Sequence, residues 1–412
     1  MNLLIPSLIT RKYILAEKIK IGHFPFVDLK AQYHSIKTEI DTAINNVINE
    51  SAFIKGKYVQ RFEKEYAEAY GSKHSISCAN GTDAIYITLK CLGIGPGDEV
   101  ITTPVTAHGT FTGIVLQNAI PIFADMDPET FNIDPDDIER KITDRTRAIM
   151  VVHLFGNPCD MDAIMAIGRS HGIPVIEDCS QAHLAQYQGR LVGTIGDIGV
   201  FSLGGKTLTT DQGGMIVTDN DELAERARDF SSGGSNSFGD AHRFTDLEAA
   251  IGLSQFSQWD EVTNVRLKSA AVLDEIVPNL PGFTVQKVRP GDVNSYYVYA
   301  YKIDEQKAGI SSERFAEAVR AEGIPDCYGP YVGGVPMYKW DLFVKEHTYG
   351  TSRYPFVDEM GNRRVDYTKI RLPNIEQELP KTGFILFRNS LTDEDAHDIG
   401  AAMRKVSSAL QG

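Results

Sequence analysis

The sequence predicts an α/β protein with a mostly parallel sheet covered by helices on both faces, followed by a smaller α+β domain. Two observations carry this prediction. Between residues 74 and 218, short β-rich runs alternate with helical stretches, which is the rhythm of βαβ units. After about residue 245, this alternation gives way to longer helices and an irregular stretch rich in aromatic residues. The composition, with 42% hydrophobic and 23% charged residues, is ordinary for a globular chain.

The individual elements follow from the spacing of apolar residues. Steps of three and four predict helices over 33–48 and 59–70 at the start of the chain. The alternating region predicts strands at 74–77, 99–103, 120–124, 148–153, 174–177, 200–203 and 215–218, with helices at 82–92, 109–118 and 161–171. The C-terminal part predicts one or two helices over 247–277 that Pro278 stops, a strand at 295–303, and helices at 313–321 and 393–410.

Charge and hydropathy exclude several classes of protein. The 412 residues include 41 Lys and Arg against 55 Asp and Glu, a net charge of -14, whereas a nucleic-acid surface needs clustered positive charge. No window approaches the ~18 apolar residues of a membrane span. Residues 1–24 are interpreted as a weakly structured leader. They are not expected to be a signal peptide, because their apolar opening follows no basic residue and is interrupted at Pro6.

The cysteines point to a reducing compartment. The chain has 5 cysteines, widely spaced and without a CxxC pair, so neither a metal site nor a disulfide framework is predicted. Buried thiols in the cytoplasm are therefore expected.

A first motif with chemical potential is Asn80-Gly81-Thr82, which ends one predicted strand and opens a helix. Gly81 lets the backbone approach a ligand, and a helix N-terminus offers free N–H groups with a partial positive charge. This combination suits a phosphate. The alternative is a capped helix start that binds nothing.

A second motif is the acidic pair Glu177-Asp178, which follows the buried run 174–176. A carboxylate at such a place needs a cationic partner or a wet site, and a protonated ring nitrogen would satisfy it. The alternatives are a helix cap and a structural ion pair.

A third motif is Lys206, which stands alone between the glycine pairs Gly204-Gly205 and Gly213-Gly214. A desolvated lysine has a lowered pKa and can form a Schiff base with a carbonyl compound. The alternative is a lysine on a surface turn. Together the three motifs supply what pyridoxal 5'-phosphate needs, namely a lysine for its aldehyde, an acid for its pyridinium nitrogen and a cradle for its phosphate.

With these residues in place, the chain resembles the DegT/DnrJ/StrS family of pyridoxal-phosphate aminotransferases, which act on keto sugars and keto cyclitols. The resemblance runs from Phe26 to about Leu410, and is carried by the opening 26–33 and the motifs at 80–84, 95–101 and 177–183. It implies the aspartate-aminotransferase (type I) fold, with a mixed, mostly parallel seven-stranded sheet. It also implies a large cofactor domain over 25–262, a small domain over 263–412, and a homodimer with its active sites at the subunit interface.

The resemblance also implies roles for single residues. Lys206 is expected to be the Schiff-base lysine, Asp178 to pair with the pyridinium nitrogen, and Gln181 to lie near the ring hydroxyl. The phosphate is expected to bind to Gly81, Thr82 and Ser202. The implied enzyme moves an amino group from L-glutamate or L-glutamine to a keto sugar, first of all a nucleotide-linked keto-deoxysugar, in amino-sugar biosynthesis. Neither a metal nor a membrane nor nucleic acid is expected as a partner.

Other functions compete with this one. The opening 26–33 favours a sugar nucleotide, whereas the length of the C-terminal stretch favours a keto cyclitol or a keto-octulosonate sugar. Related dehydratases carry histidine in place of the lysine, so Lys206 argues against that activity. A regulator that binds the cofactor without catalysis is a further alternative.

Three departures from the family pattern bear on these roles. Ser202 precedes Lys206 by four positions, whereas the family usually has five. Ala107 stands where the family has an aromatic residue on the cofactor ring, and we hypothesise that His108 supplies this contact; a histidine at a helix start with a structural hydrogen bond is the alternative. Ala241 stands where the family lends an asparagine to the phosphate across the dimer, so that His242 or Arg243 replaces it or the contact is absent.

The stretch 328–367 is longer than usual and contains Trp340 and several tyrosines. One interpretation is a covering loop with a few core aromatic residues. The other is a flap that selects the substrate, because loops on a rigid scaffold often determine specificity.

Overall fold

A seven-stranded sheet forms the centre of the computed structural model, which describes residues 29–54, 56–205, 207–235, 238–348 and 350–409. Its strands are β1 (His74–Cys78), β2 (Glu99–Thr102), β3 (Ile120–Phe123), β4 (Thr146–Val152), β5 (Val175–Asp178), β8 (Ile198–Ser202) and β9 (Gly214–Thr218), while β6 (Gln186–Tyr187) and β7 (Arg190–Leu191) form a separate ribbon. The order across the sheet is β1-β9-β8-β5-β4-β2-β3. β9 runs antiparallel to both of its neighbours, and the remaining pairs are parallel.

Helices cover both faces of this sheet. Along β4, Ile149 and Val151 pack in one apolar cluster, whereas Ala148 and Met150 pack in another on the opposite face. This alternation is what a strand buried on both sides requires. The helices are α1 (Leu29–Ser35), α2 (Lys37–Glu50), α3 (Lys57–Tyr70), α4 (Gly81–Cys91), α5 (His108–Leu116), α6 (Pro135–Lys141), α7 (Met161–His171), α8 (Asp221–Ser231) and α9 (Asp246–Gln255).

Local sequence determines several of these boundaries. The helix predicted over 161–171 is α7 itself, because the Asp160 side chain accepts a hydrogen bond from the Ala163 N–H group and Gly172 ends the helix with φ 64°. Neither α6 nor α8 was predicted from the spacing of apolar residues. The buried residues of α8 are Ala224, Ala227, Phe230 and Ser231, so a single large apolar side chain marks its buried face.

The C-terminal part is an α+β unit, as predicted. Its antiparallel sheet has the order β10-β11-β13-β12, with strands β10 (Phe283–Val285), β11 (Val298–Ile303), β12 (Cys327–Tyr328) and β13 (Thr382–Leu386). Its helices are α10 (Trp259–Asp274), α11 (Glu305–Ala308), α12 (Ser312–Ala321), α13 (Asp341–Val344), α14 (Pro373–Glu378) and α15 (Asp393–Ala409). Among the described residues, no helix combines the length and apolarity needed to cross a membrane.

The predicted boundary between the two domains, at residues 262 and 263, falls inside α10. Trp259 at the start of this helix packs in the core of the large sheet, whereas Ala270 and Leu273 near its end pack in the core of the small sheet. The domain division stays a prediction, and the predicted leader over 1–24 lies outside the described residues.

The long stretch 328–367 supplies aromatic residues to an apolar cluster between the two sheets. The ring centroid of Phe343 lies 5.2 Å from that of Phe123 in β3, and Tyr367 and Phe356 pack beside it. Much of this stretch is therefore core, and a role in substrate selection would rest on its remaining residues.

Candidate functional site

A cavity of about 430 Å³ lies where β4, β5 and β8 end. Ligands of open α/β sheets bind at this edge, beyond the carboxyl ends of the parallel strands. Five residues predicted from the sequence line the cavity together, namely Gly81, Thr82, Asp178, Gln181 and Ser202.

Asp178, the last residue of β5, offers a buried carboxylate to this cavity. The residue is 3% exposed, and its Oδ2 accepts a hydrogen bond from the Thr110 hydroxyl at 2.8 Å. Because the Thr110 hydroxyl donates to Asp178, its oxygen accepts from the Thr106 hydroxyl, 2.8 Å away. Within the described chain, no basic side chain forms an ion pair with Asp178. A buried carboxylate held only by neutral donors favours a cationic ligand group.

The start of α4 forms the opposite wall. The side-chain oxygen of Asn80 accepts a hydrogen bond from the Asp83 N–H group at 2.9 Å, which caps the helix. A Cβ atom on Gly81 would lie 2.7 Å from the Cβ atom of Ser202, so this close approach of helix and strand needs glycine. In the described part of the chain, the hydroxyls of Thr82 and Ser202 have no hydrogen-bond partner. Free hydroxyls beside a helix N-terminus fit a phosphate group.

Gln181 is oriented by hydrogen bonds to Phe155 and Tyr331, which the sequence did not reveal. Its Oε1 accepts a hydrogen bond from the Phe155 N–H group at 2.9 Å, so its Nε2 points the other way and lies 3.4 Å from the Tyr331 hydroxyl. Burial raises the pKa of Tyr331 to about 12, which keeps this hydroxyl protonated at neutral pH. Tyr331 is 150 residues away in the chain, and no local pattern connects the two.

Glu177, beside Asp178, points to the other face of the sheet. Its carboxylate accepts hydrogen bonds from the N–H groups of Gly193, Ile195 and Gly196, and Nε2 of His153 lies 3.0 Å away. The Cys159 N–H group donates to His153 Nδ1, which places the proton of this ring on Nε2. Burial opposes the charge of Glu177, but these hydrogen bonds hold its pKa below the usual range. Of the two acids, Glu177 is therefore the structural one.

We expect Glu177→Gln to lower the free energy of unfolding by about 1–3 kcal/mol, since the amide nitrogen would face backbone N–H donors. Chemical denaturation with the parent chain as reference measures this loss. The depressed pKa makes the stabilisation by Glu177 complete above the pKa of the unfolded chain, and this stabilisation is lost as the pH falls through the folded value. The variant should therefore show a weaker loss of stability on acidification, and an unchanged acid limb would contradict this role.

Lys206 lies outside the described residues, and its role stays a prediction. The residues around it are described. Gly204 and Gly205 line the cavity, and Thr207 is 5% exposed. Asp211 and Gln212, which follow in the same loop, line the cavity as well.

The structure does not bring His108 into the cavity. Ala107 lines it, whereas the imidazole of His108 lies 5.0 Å from the ring of Trp340 and 5.6 Å from that of Phe111. Because the imidazole packs against the long C-terminal stretch, the hypothesis that His108 contacts the cofactor ring gains no support from its position.

The loop around Ala241 also stays clear of the cavity walls. His242 Nδ1 lies 3.1 Å from a carboxylate oxygen of Asp83, in the first turn of α4, and Arg243 donates to the Ser232 carbonyl oxygen at 3.4 Å. Neither side chain lines the cavity of its own chain. The replacement of the family's asparagine stays open.

Comparisons with known proteins agree with this geometry. Residues 34–376 match the model of the DegT/DnrJ/EryC1/StrS aminotransferase family. The L-glutamine:2-deoxy-scyllo-inosose aminotransferase of Streptoalloteichus tenebrarius is 33% identical over 373 residues, which are 84% of this chain and 85% of that protein. The GDP-perosamine synthase of Escherichia coli O157:H7 is 40% identical over 235 residues, which are 55% of this chain and 65% of that protein.

Among solved structures, DesV of S. venezuelae superposes with a TM-score of 0.83 at 27% sequence identity, covering 94% of this chain and 99% of that chain. This likeness and the observed sheet confirm the fold class expected from the sequence, and the match over residues 34–376 confirms the resemblance.

Proposed function

Because the chain belongs to the DegT/DnrJ/EryC1/StrS aminotransferase family and is an enzyme of that class, we propose that it uses pyridoxal 5'-phosphate to aminate a nucleotide-linked keto-deoxysugar. The amino donor in this proposal is L-glutamate, with L-glutamine as the alternative, and the pathway is amino-sugar biosynthesis. One observation carries the proposal. A buried carboxylate that no described basic side chain pairs with, a helix start with free hydroxyls and the flanks of a lysine loop all meet at one cavity.

The residues around the cavity fit the cofactor. When bound, pyridoxal phosphate supplies an aldehyde that takes up the amino group and a ring that accepts electrons from the substrate carbon. Asp178 would hold a proton on the ring nitrogen, because a carboxylate stabilises a cation in a buried site. The phosphate would be held by Gly81, Thr82 and Ser202, and Gln181 would donate through Nε2 to the ring hydroxyl.

Lys206 is proposed to hold the cofactor aldehyde in the resting enzyme. Once released, its Nζ moves a proton to and from the substrate carbon, as a general acid and base. Tyr331 accepts a hydrogen bond from the Gln181 amide at 3.4 Å and so helps to fix its orientation. These roles leave the choice of keto substrate to the residues around Tyr331 and Trp340.

A keto cyclitol is the second candidate substrate. The aminotransferase that acts on 2-deoxy-scyllo-inosose aligns with this chain over most of its length. The same relative uses L-glutamine, which favours that donor for the second candidate.

The test uses the full chain loaded with pyridoxal phosphate. L-Glutamate should bleach the visible absorbance of the bound cofactor and yield 2-oxoglutarate, and L-glutamine is assayed in parallel. Nucleotide-linked keto sugars and keto cyclitols are then offered with the better donor, and the amino products are identified by mass spectrometry. A protein whose visible absorbance persists with every donor would argue for the regulator. An aminated cyclitol without an aminated sugar would select the second candidate.

We also propose that the chain is a homodimer with shared active sites. Four large apolar side chains are 36–59% exposed on one face, where α2 packs against α9 and residues 53 and 54 join the start of α9. They are Ile48, Phe53, Ile54 and Leu247. A second copy that covers this face would remove their apolar area from water.

An Ile54→Glu variant is expected to shift the chain from dimer to monomer in multi-angle light scattering, because burying an unpaired carboxylate is costly. Aminotransferase activity should fall with the dimer if the sites are shared. Met360→Glu is the matched control, since Met360 is 83% exposed and lies in the long C-terminal stretch. A dimer that survives in the Ile54 variant would place the interface elsewhere.

A further inference from the structure

The side chain of Arg266, in the middle of α10, connects the lysine loop to the small domain. The residue is 3% exposed, and its guanidinium donates from Nη1 to the Thr207 hydroxyl at 2.7 Å and from Nη2 to Oδ1 of Asn389 at 2.6 Å. The amide nitrogen of Asn389 donates in turn to the Thr207 carbonyl oxygen at 3.0 Å. Arg266, Asn389 and Thr207, the residue that follows Lys206, are thus hydrogen-bonded to one another in a ring.

This guanidinium has no counter-charge among the residues that the structure describes. In the described part of the chain, no carboxylate forms an ion pair with Arg266, and its Nε is buried without a hydrogen-bond partner. Burial lowers the pKa of Arg266 to about 10, so the group still carries its charge at neutral pH. A buried charge without a partner is costly, and an aspartate at position 389 would supply the partner that asparagine does not. The buried charge of Arg266 thus lies near the loop that carries the proposed catalytic lysine.

A buried positive charge without a counter-charge makes it harder for a neighbouring amine to take up a proton. Like charges disfavour each other's ionised forms, and the effect is strong where water is excluded. Thr207 directly follows Lys206, so the Cα atoms of the two residues are about 3.8 Å apart. A lysine nitrogen must be unprotonated to react with a carbonyl or to accept a proton.

We propose that Arg266 is a positioning residue of the lysine loop. It holds Thr207 against Asn389, and its charge, which no described carboxylate balances, favours the unprotonated form of the Lys206 nitrogen. The proposal rests on the proposed function, since that function gives Lys206 its role. It adds a residue outside the cavity that acts on the reaction through its charge.

Other ionisable groups face the same region. Asp178 and Asp211 line the cavity, Tyr331 lies 3.4 Å from the Gln181 amide, and Tyr297 lies near both Arg266 and Tyr331. All four are unchanged in the variants below, so a difference between variants does not come from any of them.

The experiment titrates the visible absorbance of the cofactor-loaded full chain against pH. Arg266→Gln removes the charge, and Asn389→Asp keeps the guanidinium but adds a counter-charge. Both should move the midpoint of the titration upward by about one pH unit, because each removes the net positive charge beside the lysine loop. Arg266→Lys should keep the midpoint, because it keeps the charge. Lys268→Gln, which removes an exposed cation from the same helix, should keep it as well.

The outcomes separate the two proposals. Midpoints that stay unchanged in folded Arg266→Gln and Asn389→Asp chains would overturn the role of the charge. If Arg266→Gln does not fold, Asn389→Asp decides alone, because it retains the guanidinium. An equal shift in Arg266→Lys and Arg266→Gln would indicate a purely geometric role and would also overturn the proposal. A wild-type chain that shows no visible absorbance with the cofactor would instead refute the proposed function, and this inference with it.

Discussion

Replacing Lys206 by alanine should reduce transamination by more than about 10³-fold, because the variant loses both the nucleophile for the cofactor aldehyde and the group that moves the proton. The visible absorbance of the lysine-linked cofactor should disappear in the same variant. Single-turnover assays with L-glutamate and absorbance spectra of the loaded chain measure the two effects. An external amine, such as methylamine, should restore part of the proton transfer, since it supplies the missing base.

The control for this variant is Lys268→Ala, which removes an exposed lysine from α10 and leaves the cavity intact. It should retain the absorbance and the activity of the parent chain. A Lys206→Ala chain that keeps the absorbance would show that another nitrogen holds the cofactor, and the assignment from the glycine-framed motif would then be wrong.

The second large effect is expected at Asp178. Asparagine keeps the shape and the hydrogen bond from Thr110, but it removes the negative charge that would hold a proton on the ring nitrogen. We expect the rate of the half-reaction with the amino donor to fall by about 10²–10³-fold, the size seen when a preorganised electrostatic partner is lost. The absorbance of the lysine-linked cofactor should persist, because Lys206 is intact. This pattern separates Asp178→Asn from Lys206→Ala.

Thr110→Val is the matched control for Asp178, since it removes one neutral donor and leaves the charge. Its rate should fall much less than that of Asp178→Asn. Equal losses in both variants would mean that the hydrogen bond, not the charge, is what the site needs from this carboxylate.

The sequence predicts which residues come together at the cavity, because the motifs are local and the strands that they follow are parallel. It predicts less of the contacts that each side chain makes there. Gly81, Asp178 and Ser202 each end or follow a strand, and parallel strands bring their carboxyl ends to one edge, so chain order alone predicts that the three lie close together. The difference between Glu177 and Asp178 is also implicit in the sequence, because neighbouring side chains on a strand point to opposite faces.

Contacts between distant segments are what the sequence does not reveal. Tyr331 meets Gln181 through the packing of the small domain, and His108 packs against Trp340 for the same reason. The strand β13 was not predicted, although Phe384, Ile385 and Leu386 are apolar, because a short apolar run does not distinguish a strand from a buried helix segment. Its pairing with β11 is established only when residues 80 to 88 positions apart meet.

The course of α10 has a practical consequence for anyone who would exchange substrate specificity between relatives. One end of this helix packs in the core of the large sheet and the other end in the core of the small sheet. A domain boundary inside the helix would therefore divide one of its packing surfaces from the other. A chimera joined at residue 262 would take the first turn of this helix from one protein and the rest from the other. A junction after Asp274 would keep this helix whole, and the transplanted small domain would then have to pack against Ala270 and Leu273.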